Sequence, residues 1–196
     1  MEKRELRSNY IIAFINFFLF LLLFCLIYAV SRSFIKTLKA SEEIRVGVLF
    51  MGLVSPFIFY TFVADLNSVY EKVQNFFFRH TFLTLVVPAF LVALLLGYFF
   101  LPKIFDFSFN RQIFLFLGSA AFSLHIIFVA GQLKSTTFSG FINYIFVLSL
   151  VYLFCLVVLG VYIILGFKFP LKEALVGGIK EGFSLIRNII LQLLPH

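Results

Sequence analysis

The run from Ser135 to Phe167, STTFSGFINYIFVLSLVYLFCLVVLGVYIILGF, holds 33 residues without one Lys, Arg, Asp or Glu. At about 1.5 Å per helical residue it exceeds a bilayer core of roughly 30 Å. Four more uncharged runs precede it, Ser8–Ser31, Val46–Ala64, His80–Pro102 and Gln112–Leu133, of 24, 19, 23 and 22 residues. All are rich in Phe, Leu, Ile and Val. The expected fold is all-α, a polytopic helical membrane bundle of five transmembrane helices with amphipathic interfacial helices beside them. The spans fall at about 10–30, 46–64, 82–101, 113–131 and 141–166, and an amphipathic tail follows at 171–194.

Composition points to the same solvent. Of 196 residues, 62% are hydrophobic and 13% charged, against about half and about a quarter in a soluble domain. The connections are too short for a second core, so residues 1–196 are expected to form a single integral membrane domain. The net charge of +7 gathers between the runs and at the ends, where topology and lipid headgroups call for bases. No RRM-like or helix-turn-helix pattern accompanies it, and nucleic acid is not an expected partner. Ten Lys and Arg on the side of the first loop, third loop and tail face six on the other. The positive-inside rule then favours an external N-terminus and an internal C-terminus, in a bacterial cytoplasmic (inner) membrane. Residues Met1–Arg7 before an apolar run resemble a signal peptide, but the apolar region is too long and no A-x-A-like site closes it. A retained first span is expected.

Between the runs, Ser31–Arg45 reads as a short amphipathic helix in the headgroup region, with Phe34, Ile35 and Leu38 opposite Arg32, Lys36 and Lys39. Ser41 followed by Glu42 and Glu43 reads as a capped start for the second span. Pro56 and Pro88 each remove a backbone donor inside a span and predict a bend. Asp65–Thr81 continues at helical spacing, with Tyr70, Val73 and Phe77 on one side. Ala89, Ala93 and Gly97 recur every four residues, a stripe that lets helix backbones approach closely in lipid, and it is the expected helix-packing interface. In the tail, Leu171, Leu175, Ile179, Phe183, Ile186, Ile190 and Leu194 form the apolar stripe.

Polar groups inside the runs are few. Cys25 and Cys155 are isolated thiols, and no Cys/His cluster or metal-ligand spacing exists, so neither metal nor other cofactor is expected. Apart from Cys and Tyr, His125 is the only ionisable side chain well inside a span; an imidazole there either bonds across helices or serves a ligand. Its membrane half also holds Asp65, Gln132 and Asn143, which with His125 are the candidate ligand-binding residues, Asp65 being able to orient and charge the ring. No HExxH, GxSxG or phosphate-binding Gly loop is present, and no catalytic residue is expected.

Ser108–Gln112 entering a span, Tyr152–Gly160 (YLFCLVVLG) and Phe169–Ala174 (FPLKEA) give the second half a resemblance to the Yip1-domain membrane proteins. The resemblance implies a five-helix bundle of about this size, without known catalysis and associated with membrane trafficking or partner binding. The reading that follows is a non-catalytic membrane subunit or scaffold, whose partners are the lipid bilayer and other membrane protein subunits. The alternative is a small-molecule or lipid transporter component with a polar pocket near His125 and Asp65.

Overall fold

A computed structural model describes residues 2–62, 66–78, 81–105, 110–133 and 138–193. Among these the chain is all helix, with no strand. Eight helices follow in order: α1 (Glu2–Ala40), α2 (Val46–Phe62), α3 (Leu66–Phe77), α4 (Thr81–Val86), α5 (Ala89–Phe105), α6 (Arg111–Gln132), α7 (Phe138–Gly166) and α8 (Leu171–Leu193). Three of them carry segments long and apolar enough to cross a membrane: Ile11–Ala40, Arg111–Gln132 and Gly140–Gly166. Val46–Phe59 and Ala89–Ile104 are shorter apolar helices. The protein is therefore a membrane protein, all-helical among the described residues.

Helix α6 lies at the centre. Asn110 caps it, its Oδ1 accepting from the backbone N–H of Gln112 at 2.9 Å and of Ile113 at 3.4 Å. Its Phe114, Leu115, Ala121, Phe122, Phe128 and Val129 are all buried. Helix α7 runs antiparallel to it: Tyr162 stacks on Phe114 with ring centroids 3.9 Å apart, and Tyr152 meets Phe122 nearer the other end. The Tyr162 ring occupies the space a side chain at Gly118 would need, and its hydroxyl donates to the Phe114 carbonyl at 2.6 Å. Helix α5 is also antiparallel to α6, through Tyr98 on Phe114. Helix α2 runs parallel to α6, and Gly52 packs directly on Ser119.

Helix α1 is a single rod of 39 residues, about 58 Å long. The expected separate interfacial helix at Ser31–Arg45 does not form, because α1 continues unbroken to Ala40. Charge does not stop a helix when it can face outward: Arg32, Lys36 and Lys39 are exposed while Phe34 and Leu38 are buried. Nor does Ser41 cap the second span. Its carbonyl instead accepts from Ile44 in a tight turn, at 3.3 Å, and buries Ile44. The Arg45 carbonyl then accepts the first bonds of α2, from the N–H groups of Val48 and Leu49.

Helix α8 packs antiparallel along α1. Its contact face is made of Ala174, Gly178 and Gly182, each four residues from the next, all buried. A Cβ on Gly178 would come within 2.6 Å of the Val30 Cα, and one on Gly182 within 2.7 Å of the Leu26 Cδ2. Arg32 and Glu181 close an exposed ion pair at 2.9 Å beside this seam. The larger apolar stripe starts in the core at Leu171 and then turns outward, with Ile179, Phe183 and Ile190 exposed. On the stripe expected to carry packing, Ala89 is buried, Ala93 and Gly97 are half-buried, and a Cβ on Gly97 would touch only Leu101 of its own helix.

Replacing Gly178 by Leu should separate α1 from α8 and cost about 1–3 kcal/mol, the usual penalty of overpacking. Ala93→Leu, at a half-buried position, should cost less. Thermal unfolding followed by helix circular dichroism in micelles measures both. Equal losses would contradict the assignment of the tightest seam to α8.

Candidate functional site at the α4–α5 break

Pro56 and Pro88 pose the same physical problem and receive different solutions. A proline has no N–H, so the carbonyl four residues earlier loses its helical donor. In an apolar interior no water replaces it. At Pro56 that carbonyl belongs to Gly52, and the Ser55 hydroxyl donates to it at 2.9 Å. Helix α2 passes through intact. At Pro88 the expected bend becomes a break, which divides the third run into α4 and α5.

Four consecutive carbonyls lose their helical donors at this break, and side chains from other helices supply replacements. Gln74 of α3 donates through Nε2 to the Thr84 carbonyl at 2.7 Å and also to that of Val87. Its Oε1 accepts from the Ala89 backbone N–H at 3.1 Å. His125 of α6 places Nε2 3.0 Å from the Leu85 carbonyl. The Cys155 thiol of α7 faces the Val86 carbonyl at 3.9 Å, a weak donor at a long distance. Regular bonding resumes when the Val92 N–H reaches the Pro88 carbonyl at 3.0 Å.

The tautomer of His125 follows from its partners. A carbonyl only accepts, so Nε2 carries the proton, and in neutral imidazole Nδ1 is then an acceptor. The Tyr70 hydroxyl lies 2.8 Å from Nδ1 and donates to it. Burial above all, with a smaller contribution from Cys155, pushes the Tyr70 phenol well above its ordinary range, which keeps it a donor. Phe90 and Phe128 enclose the Tyr70 ring at centroid distances of 5.1 and 5.2 Å. Tyr70 and Gln74 lie one turn apart on α3, so a single helical face serves both His125 and the break.

Of the four residues expected at a polar pocket, the three that are described lie apart. His125 is fully buried and both its nitrogens are engaged by the protein. Asp65 lies outside the described residues. Gln132 is exposed at the end of α6, about 10 Å along the helix from His125. Asn143 is turned to α1, where its Oδ1 accepts from Asn16 Nδ2 at 2.7 Å. Cavities of about 830, 400 and 90 Å³ lie elsewhere, and His125 lines none of them. Among the described residues, no three His, Cys, Asp or Glu side chains gather. The Ser119 hydroxyl bonds back to the Leu115 and Phe116 carbonyls, each at 2.9 Å.

Sequence reasoning placed Tyr70 on an apolar stripe and passed over Gln74. A signal existed: an amide one turn from Tyr70, ahead of a proline whose freed carbonyl needs a donor. No family model matches the chain, and neither a curated protein nor a solved structure does.

Removing the Gln74 amide takes away three hydrogen bonds at the break, to the Thr84 and Val87 carbonyls and from the Ala89 N–H, each contributing on the order of 1 kcal/mol. Gln74→Leu should therefore destabilise two to three times as much as Tyr70→Phe, which orphans only Nδ1 of His125. Denaturant unfolding in mixed micelles gives the ratio. Equal effects would place little weight on the Gln74 bonds.

Proposed function

We infer that the protein is a non-catalytic, multi-pass membrane subunit that holds partner membrane proteins by helix packing. In this reading the chain crosses the bilayer five times, through α1, α2, the α4–α5 pair, α6 and α7. The observation that carries it is how the interior polar groups are used: Tyr70, Gln74, His125, Ser119 and Tyr162 each bond within the chain. A subunit of this kind acts through its surface. The lipid-level face of α1 is open over Phe14, Phe18, Leu22 and Phe24, and α8 leaves Ile179, Phe183 and Ile190 exposed beside it. The ends of α1, α5 and α7 and the starts of α2, α6 and α8 lie together, where Lys36, Lys39, Arg45, Lys103, Arg111, Lys168 and Lys172 cluster. By the positive-inside rule that end faces the cytoplasm.

One observation favours a second reading, a transporter component. Discontinuous helices often build substrate sites in transporters, because their freed backbone groups bind the cargo. The α4–α5 break is such a helix, although its carbonyls are already occupied by side chains.

Purification from the native membrane in mild detergent separates the two. The subunit reading predicts one or more other membrane proteins in fixed ratio, lost on Phe183→Glu and retained in His125→Ala protein that still folds. Isolation of the chain alone, together with solute uptake that depends on His125, would favour transport.

A further inference from the structure

Where α7 ends and α6 and α8 begin, a cavity of about 830 Å³ opens at the basic end of the bundle. Its lining carries two kinds of group. Arg111 and Lys168 bring cationic groups, while Glu43 and the last turn of α7, Ile164–Gly166, bring acceptors. The last carbonyls of a helix have no donor within it. In α7 the Ile163 carbonyl is served by the Phe167 N–H at 2.9 Å, which leaves those of Ile164, Leu165 and Gly166 at the negative end of the helix dipole. Arg111 Nη1 stands 3.7 Å from Glu43 Oε2, beyond the roughly 2.7–2.9 Å of a charge-assisted bond. Both side chains stay substantially open, at 64% and 44% exposure, and keep bonding capacity for a third group. The Asn110 side chain already occupies the first N–H groups of α6, so the cationic groups are side chains rather than a bare helix end.

Cationic and acceptor groups brought together in one lining fit a zwitterion. We propose that this cavity binds the phosphoethanolamine head of an aminophospholipid. The phosphate lies on Arg111 and Lys168, and the ammonium on Glu43 and the α7 carbonyls. A primary ammonium brings three N–H donors, a choline head brings none, and a glycerol head lacks the cation. The source is a membrane lipid, because the cavity lies where the uncharged runs of α6 and α7 stop. Val157, Val161 and Ile164, exposed on one stripe of α7, offer the acyl chains a track leading away from it.

The test is lipid retention by the full-length chain. Protein held in micelles with equal amounts of phosphatidylethanolamine, phosphatidylcholine and phosphatidylglycerol is passed through gel filtration, and bound lipid is counted by mass spectrometry. The expected result is selective retention of phosphatidylethanolamine. The double variant Arg111→Gln with Lys168→Gln should reduce it about a hundredfold, as for loss of two charge-assisted bonds. Lys103→Gln, at the same end but outside the cavity, should leave it unchanged. Competition by free phosphoethanolamine but not by inorganic phosphate supports the zwitterion. Equal retention of all three lipids, preference for phosphatidylglycerol, equal displacement by phosphate, or unchanged retention in a folded double variant each overturns the proposal. Unfolding of the double variant moves the same readout to Glu43→Gln, which should lose the preference for ethanolamine over choline while still binding phospholipid, and undiminished preference there also overturns it.

Discussion

A carbonyl oxygen that has lost its helical donor in an apolar interior has no water to turn to, and the arrangement of the central helices follows from that constraint. Pro56 and Pro88 each create the problem. Ser55 answers it locally for the Gly52 carbonyl, at the cost of one hydroxyl and no tertiary contact. The break at Pro88 frees too many carbonyls for one neighbouring side chain, so Gln74, His125 and Cys155 are drawn in from three other helices. This demand fixes the position of α3 against α5 and α6. It also explains an ionisable residue in the interior without invoking a ligand, since a neutral histidine is both a donor for Leu85 and an acceptor for Tyr70.

Close backbone approach is the second organising element. Lipid tails are as apolar as leucine, so helices associate through fit rather than through escape from water. Gly52 against Ser119, Gly118 under the Tyr162 ring, and Gly178 and Gly182 along α1 are the places where a side chain would intrude. They join α2, α7 and α8 to their neighbours, leaving the outer surface of α1 to lipid or to a partner. The polar pairs Asn16–Asn143 and Ser31–Tyr152 add direction to the α1–α7 contact.

Much of this architecture was legible in the chain and some was hidden for identifiable reasons. Uncharged runs mark where lipid is the solvent, and α6 and α7 begin and end within three residues of the boundaries read from them. The continuation of α1 through Arg32 and Lys36 was hidden because a charge ends a lipid-exposed run without ending a helix. The seam on α8 was hidden because Leu175, Ile179 and Phe183 give a louder periodicity than Ala174, Gly178 and Gly182. The larger side chains need only an apolar surrounding, whereas the small ones mark contact. For the site, the pattern singled out His125 and could not name its partners. The need at Leu85 exists only once Pro88 has broken the helix, and Gln74 is recognisable as the answer only from the fold.

The most direct test of this account is the nitrogen-15 spectrum of the His125 imidazole in protein reconstituted into bilayers. The account predicts a proton on Nε2 and a bare, hydrogen-bonded Nδ1 whose resonance shifts when Tyr70 is replaced by Phe. A proton on Nδ1, or a resonance indifferent to Tyr70→Phe, would contradict the claim that the ring is committed to the broken helix.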